Sequence, residues 1–262
     1  MNLNFLSTFL RCFFIFSLIF IASLSSQAQR GSPSAMSAKA KRESTNYRIL
    51  ANYDLVMTSP GDLNSQRSTF LWNGTTPTLG TFGNMNGFTV GAGYLAGSGF
   101  LGLEYSSAVQ ELSNTLIPPG TTSVQDTLNY DVAYVVYDWL FNKAPNQSYE
   151  FGLGLGQTLK FQFHNIFTSS GVTEDLIWQA TPMVFKVRAN YNYHFSSSFK
   201  LRVGATYENA TSSSLTASAN HPTINIAGSP VVSGQPLRNN AGQNVKVDIS
   251  GFRINAGLVL AF

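Results

Sequence analysis

His194 and Ser196 stand two residues apart in YHFSSSF (193–199), and Glu208 follows Ser196 by twelve. Imidazole, hydroxyl and carboxylate are the groups of a relay nucleophile, provided all three lie within hydrogen-bond reach. The other histidines, His164 and His221, show no metal-ligand spacing. The run GLGLG (152–156) lacks the strand-to-helix setting that a phosphate loop requires. A single cysteine, Cys12, excludes internal disulfides and thiolate–zinc sites. More numerous are charged residues set among apolar ones: Arg48, Asp54, Glu104, Asp131, Lys160, Lys186, Arg188, Lys200, Arg202, Glu208 and Arg253. What they can do depends on the elements that carry them and on the face they share.

Residues 1–28 hold one charge, Arg11, then an apolar run from Cys12 to Leu24 and a Ser26-Gln27-Ala28 end. This is the pattern of a secretory leader cleaved after Ala28, and the run is short for a spanning helix. Without it the chain carries 15 Lys+Arg (16 less Arg11) against 13 Asp+Glu. That small excess gives no footprint for a nucleic-acid partner. Residues 29–46 are small, polar, basic and aperiodic, and are predicted to be a disordered periplasmic lead-in. Charged residues make up only 11% of the chain, yet beyond the leader no apolar stretch nears the ~20 residues of a membrane helix. Alternating strands produce that combination.

Eight segments alternate with period two: 47–57, 86–95, 99–111, 127–138, 150–164, 178–193, 199–211 and 245–262. Each has one apolar face. On the fourth it is predicted to be Leu128, Tyr130, Val132, Tyr134 and Val136. On the fifth it is Phe151, Leu153, Leu155, Leu159, Phe161 and Phe163. The last segment sets Phe252, Ile254, Ala256, Leu258, Leu260 and Phe262 on one side, opposite Arg253. Long connections (58–85, 112–126, 165–177, 212–244) alternate with shorter ones (96–98, 139–149, 194–198). A soluble β-sandwich would also alternate, but it does not account for faces this rich in Leu, Phe and Tyr with charge on the other side. The predicted fold class is therefore all-β: an eight-stranded antiparallel transmembrane β-barrel over 47–262, with short periplasmic turns and long extracellular loops. It must close, because hydrocarbon offers no partner to an unpaired strand edge.

Tyr47, Tyr94, Tyr137, Trp139, Tyr193 and Phe199 fall at the periplasmic ends of these strands, where an aromatic girdle belongs, and Trp178 is the candidate for the outer rim. Leader, eight strands, loop asymmetry and Phe262 together resemble the small bacterial outer-membrane β-barrels of the OmpA-like, OmpX and OmpW type. The resemblance implies a monomer in the bacterial outer membrane, in contact with its lipid and lipopolysaccharide. It also implies an assembly signal, Leu258, Leu260 and Phe262, read by the outer-membrane insertion machinery, and no cofactor. The His194, Ser196, Glu208 spacing resembles that of outer-membrane lipid A deacylases. Ser197, however, stands where that family has an Asn, and Glu208 is predicted to lie inward and far up its strand. No enzyme, catalytic residue or metal ligand is predicted.

If the apolar faces look outward, parity turns Arg48, Asn52, Asp54, Glu104, Asp131, Lys160, Lys186, Arg188, Lys200, Arg202, Glu208 and Arg253 into the lumen. An eight-stranded barrel is just wide enough for its own side chains, so these are predicted to pair as a closing charge network, with strand glycines making room. The alternative is a narrow conduit for small or hydrophobic solutes, its basic excess favouring anions. Loops 58–85 (with Phe70, Leu71 and Trp72) and 212–244 are candidate contacts for an extracellular ligand, and TINIAGSPVV (223–232) could form a hairpin above the membrane.

Overall fold

The computed structural model describes residues 46–58, 60–61, 63–65, 80–116, 122–144, 146–169, 171–210, 213–226, 229–238 and 242–262. The expected leader, nearly all of the lead-in, and Phe70, Leu71 and Trp72 lie outside the described residues.

The barrel wall is made of β1 (Tyr47–Thr58), β2 (Asn84–Ala96), β3 (Gly99–Leu116), β4 (Thr122–Ala144), β5 (Gln147–Ser169), β6 (Val172–Ala180), β7 (Met183–His194), β8 (Phe199–Ala210) and β14 (Gly251–Ala261). β6 and β7 form one stave, interrupted at Thr181-Pro182. β5 pairs with β7 along its lower half and with β6 along its upper half. Pro182 lacks an amide donor, but its carbonyl accepts from Thr158 N at 3.2 Å and Thr158 Oγ1 at 2.7 Å. The sheet closes where β1 meets β14, in register from Arg48 opposite Ala261 to Thr58 opposite Gly251. All eight staves are antiparallel to their neighbours.

The outer surface is apolar over the lower part of every stave. Ile49, Tyr53, Phe88, Leu103, Phe151, Leu153, Phe185, Val203, Ile254 and Leu258 are all exposed. Exposed Leu and Phe around a whole circumference would not be stable in water, and they match the hydrocarbon band of a membrane barrel. No described helix is long and apolar enough to cross a membrane.

Three sequence expectations change. The connection 139–149 is mostly strand: β4 runs to Ala144 and β5 begins at Gln147. The long connections 112–126 and 165–177 are largely strand as well, so β4 and β5 reach 23 residues each. At ~3.4 Å per residue they project well beyond a hydrocarbon layer. Third, the described residues 213–226, 229–238 and 242–250 fold into a lid. Within it β9 (Ser213–Ser214) pairs with β13 (Lys246–Val247), and β11 (His221–Ile226) pairs with β12 (Ser229–Val231), the hairpin anticipated at 223–232. β10 (Thr216–Ala217) joins the lid to β6.

Leu159 causes the largest departure from simple alternation. Thr158 pairs with Val132 and Lys160 with Asp131, so Leu159 is an extra residue on β5. Such a bulge inverts the faces of everything beyond it. Phe151, Leu153 and Leu155 look outward, whereas Phe161, Phe163 and Phe167 are buried inside.

The closing seam leaves little space at Gly257, where a Cβ would overlap the backbone of Ala51 and Asn52. Gly257→Val is expected to destabilise the barrel by at least the ~1–3 kcal/mol of an overpacked site, whereas Ala256→Val, on the exposed face, should be tolerated. Heat-modifiable gel mobility after refolding reads the difference.

Candidate functional site

The barrel interior has two storeys. The lower one is ionic. Arg48 donates to Glu150 at 2.9 Å and also pairs with Asp138. Arg202 pairs with the same Glu150 carboxylate, whose other oxygen accepts from Asn192 Nδ2 at 3.0 Å. Arg188 grips Asp138 with two donors, at 2.7 and 2.6 Å, and reaches Glu104 at 2.7 Å. Lys186 donates to Glu104 at 2.7 Å, and its ammonium sits 3.7 Å from the centroid of the Tyr134 ring. The Tyr134 hydroxyl donates to Glu208 at 2.9 Å. Arg253 then bridges Glu208, at 3.0 Å, to Asp54, at 2.8 Å. Thr89 donates to Asp54 and contacts Ser106.

Alternating charge thus runs from Arg202 near the turn end to Asp54 towards the loop end, in two runs of ion pairs joined between Lys186 and Glu208 by the ring and hydroxyl of Tyr134. Every charged member is buried. Each bond is charge-assisted and shielded from solvent, the setting in which removing a single partner is most damaging. Gly152 and Gly154 make this possible: a Cβ at Gly152 would meet the Arg188 side chain at 3.0 Å, and one at Gly154 would meet Lys186 at 2.9 Å.

The upper storey is apolar. Leu128, Tyr130, Phe161, Phe163, Leu176 and Trp178 line it, and Leu63 and Phe82 pack from the segment after β1. Phe82 meets Phe163 edge-on at 6.0 Å, and Tyr130 meets Phe161 at 6.3 Å. The lid closes it from above with Leu215, Leu237, Val247 and Ile249, all buried.

The structure places Arg48, Asp54, Glu104, Lys186, Arg188, Lys200, Arg202, Glu208 and Arg253 on the inner face. Asp131 and Lys160 are corrected to the outer face, where they stand opposite each other and Asp131 accepts from Ser107 at 2.7 Å. Lys160 lies beyond the Leu159 bulge, which reverses its parity. β4 is apolar on both faces between Val132 and Tyr137, so the even positions taken as lipid-facing point inward instead, and Asp131 outward. Asp138 and Glu150, the two acids that hold Arg48, were missed. The β4 parity error hid Asp138, and Glu150 opened its expected strand, next to a segment read as a loop. With them the described inner face carries six acids (Asp54, Glu104, Asp126, Asp138, Glu150, Glu208) and six bases. The basic excess, and with it the argument for anion preference, disappears.

Tyr47, Trp139 and Tyr193 are exposed at the turn end, and Tyr94, Tyr137 and Phe199 half-buried there. Tyr137 stacks edge-on against Trp139 at 5.0 Å. Trp178 is corrected from the outer rim to the upper core, where it is 2% exposed; as an even residue on β6 it shares the inward face of Leu176 and Ala180. Phe262 stacks on Tyr47 at 6.1 Å and exchanges two backbone hydrogen bonds with it. Leu258 and Leu260 face outward on β14.

His194 and Glu208 do not meet. His194 pairs in register with Lys200 and Glu208 with Lys186, eight residues along each strand, or about 27 Å at 3.4 Å per residue. Ser196 Oγ accepts from the amides of Ser198 and Phe199 in the β7–β8 turn, and His194 Nε2 bonds Ser148 at 2.8 Å. Among the described residues no three His, Cys, Asp or Glu side chains are grouped to hold a metal.

Glu150→Ala would leave Arg202 without its carboxylate partner and Arg48 with Asp138 alone, and is expected to lower stability by about 3–5 kcal/mol. Asp131→Ala, on the outer surface, should change it by less than about 1 kcal/mol. Urea unfolding in lipid vesicles separates the two.

No family model and no curated protein matches the sequence. Among solved structures, the Neisserial surface protein NspA aligns at 14% identity over 82% of this chain and 97% of its own, with a TM-score of 0.40. The attachment invasion locus protein Ail of Yersinia pestis, in complex with the heparin analogue sucrose octasulfate, aligns at 13% identity over 83% and 97%, with a TM-score of 0.33. The outer-membrane protease OmpT of Escherichia coli aligns at 9% identity over 83% and 97%, with a TM-score of 0.23. By its own strand pairing, apolar girdle and closed seam, the chain is an eight-stranded antiparallel transmembrane β-barrel with the architecture of the small outer-membrane barrels.

Proposed function

We propose that this protein is a non-conducting barrel of the bacterial outer membrane that serves envelope integrity and surface contact, without catalysis. The observation that carries this reading is the double filling of the interior. An ionic ladder, joined across Tyr134, occupies the membrane level, and an apolar core beneath a folded lid occupies the level above it. Side chains fill the described interior of this narrow barrel at both levels, which supports a function at the outer wall and the loop end.

The loop end suits such a role. β3 to β6 extend the wall as a paired sheet whose outer side is polar: Gln125 donates to Glu111 at 2.8 Å, and His164 bonds Asp175 at 2.6 Å. This side stands above the hydrocarbon, at the level of lipid headgroups and lipopolysaccharide sugars, with the lid beside it. Binding surfaces are characteristically held by rigid scaffolds in this way. Closure of every seam leaves no strand edge within the membrane level for a partner subunit, which favours a monomer.

Planar-bilayer recording of the refolded wild type tests the reading. It is expected to give no conductance steps. Glu104→Ala is also expected to stay silent, because the apolar storey above remains closed. Steady steps from the wild type would make the protein a pore and overturn the proposal.

A further inference from the structure

Above the membrane β3 to β6 project as a sheet that does not close, and such a sheet has two margins. From Gln110 to Leu112 the β3 margin is covered by the segment before β2: Gly83 N donates to Gln110 Oε1 at 2.9 Å, and Gly80 lies against Leu112. The β6 margin is covered only along its lower part. There a strand of the lid lies antiparallel to it, with Thr216 opposite Gln179, Ala217 opposite Trp178, and Ser218 N donating to Ile177 O at 2.8 Å. Beyond Ser218 the chain passes into the β11–β12 hairpin, whose strands pair with each other.

The Ser218 bond fixes which groups the upper part of β6 presents. Ile177 turns its carbonyl to this margin. By alternation Thr173 and Asp175 turn both N–H and C=O the same way, while Val172, Glu174 and Leu176 bond to β5. Among the described residues no backbone group takes the donors and acceptors of Thr173 and Asp175 on this side. Val172 is 61% exposed, and Thr173 and Asp175 are exposed beside it. The two open residues stand about 7 Å apart, the repeat of an antiparallel ladder. Such a row of donors and acceptors is matched by another extended backbone, not by a lipid chain or a sugar.

Charge selects the kind of backbone. Residues 110–131 and 161–182, which make up most of the projecting wall, contain no Lys or Arg. They contain Glu111, Asp126, Asp131, Glu174 and Asp175. Asp175 bonds His164 at 2.6 Å, and its side chain remains 57% exposed. A second copy of the chain would bring an equally acidic wall to the contact and be repelled.

We infer that the upper margin of β6 is a docking site for a basic, extended polypeptide segment of a partner protein, which adds a strand to the wall in line with β10 and antiparallel to β6. The segment's backbone pairs with Thr173 and Asp175, and its Lys or Arg side chains answer the acids of the wall. The inference rests on the surface-contact reading and names the chemistry of the partner.

The probe is a fluorescein-labelled Lys-Thr-Val-Lys-Val-Thr-Lys peptide, titrated by anisotropy onto the refolded protein in phosphatidylcholine nanodiscs. Saturable binding is expected, with hydrogen exchange of the Thr173 and Asp175 amides slowed in the complex. Thr173→Pro removes a donor on the open side only, where an edge strand tolerates proline. It should weaken binding at least about fivefold, the worth of one neutral hydrogen bond. Thr173→Val keeps the donor and should bind as the wild type does. The same peptide with Glu in place of Lys should not bind. Absence of saturable binding, unchanged exchange at Thr173 and Asp175, or full affinity in Thr173→Pro would overturn the site. Equal binding of the Glu peptide would overturn the basic character of the partner. Planar-bilayer conductance of the same preparation reports separately on the surface-contact reading, so failure of one is distinguishable from failure of the other.

Discussion

Every backbone amide and carbonyl that enters hydrocarbon must find its partner within the protein. The rest of this structure follows from that constraint. It requires β14 to meet β1, fixes eight staves into one closed wall, and sends one set of alternate residues into lipid and the other into a lumen too narrow for anything but side chains. The carbonyl of Pro182 illustrates how strictly the rule operates. The stave is broken there, and Thr158 satisfies that carbonyl with both its amide and its hydroxyl.

Filling the lumen is the second problem, and the chain solves it differently at two heights. At the membrane level, arginines and carboxylates interlock, with Glu104, Asp138 and Glu150 each shared between two bases and Arg253 shared between Asp54 and Glu208, so long chains fill the space. Above it aromatic and aliphatic groups pack as in a soluble core. Lys186 and Tyr134 form the boundary: the ammonium lies on the ring, and the ring's hydroxyl returns to the ladder through Glu208.

The sequence made the barrel legible because period-two alternation repeats in segment after segment, and most outward faces, such as Phe252 to Phe262 on β14, were unambiguous. Parity failed where the local pattern carries no directional information. Val132 to Tyr137 are apolar on both faces, so β4 could be turned either way, and Asp131 and Asp138 argue for opposite choices. On β5 the pattern itself is misleading. Leu155, Leu159, Phe161 and Phe163 read as one apolar face, but a bulge divides them between lipid and core. Asp138 and Glu150 went unrecognised for related reasons, and with them the acid half of the ladder's lower end. Of the lid only the hairpin at 223–232 was legible; its packing on the barrel was not, because its buried residues are sparse aliphatics among Ser, Asn and Gly.

The Leu159 bulge works like a frameshift in the geometry of the wall. Below it odd positions on β5 belong to the lipid, and above it they belong to the core. The two parts therefore obey different rules of substitution, although they lie on one continuous strand. Length changes inherit the same grammar. A pair of residues added to the upper reach of β5 preserves which side each neighbour faces. A single residue added or lost there sends Phe161, Phe163 and Phe167 to the outside and brings His164 and Gln162 within. The protein's surface above the membrane is thus free to lengthen or shorten in steps of two, the period of the strand itself, counted from the phase that Leu159 resets.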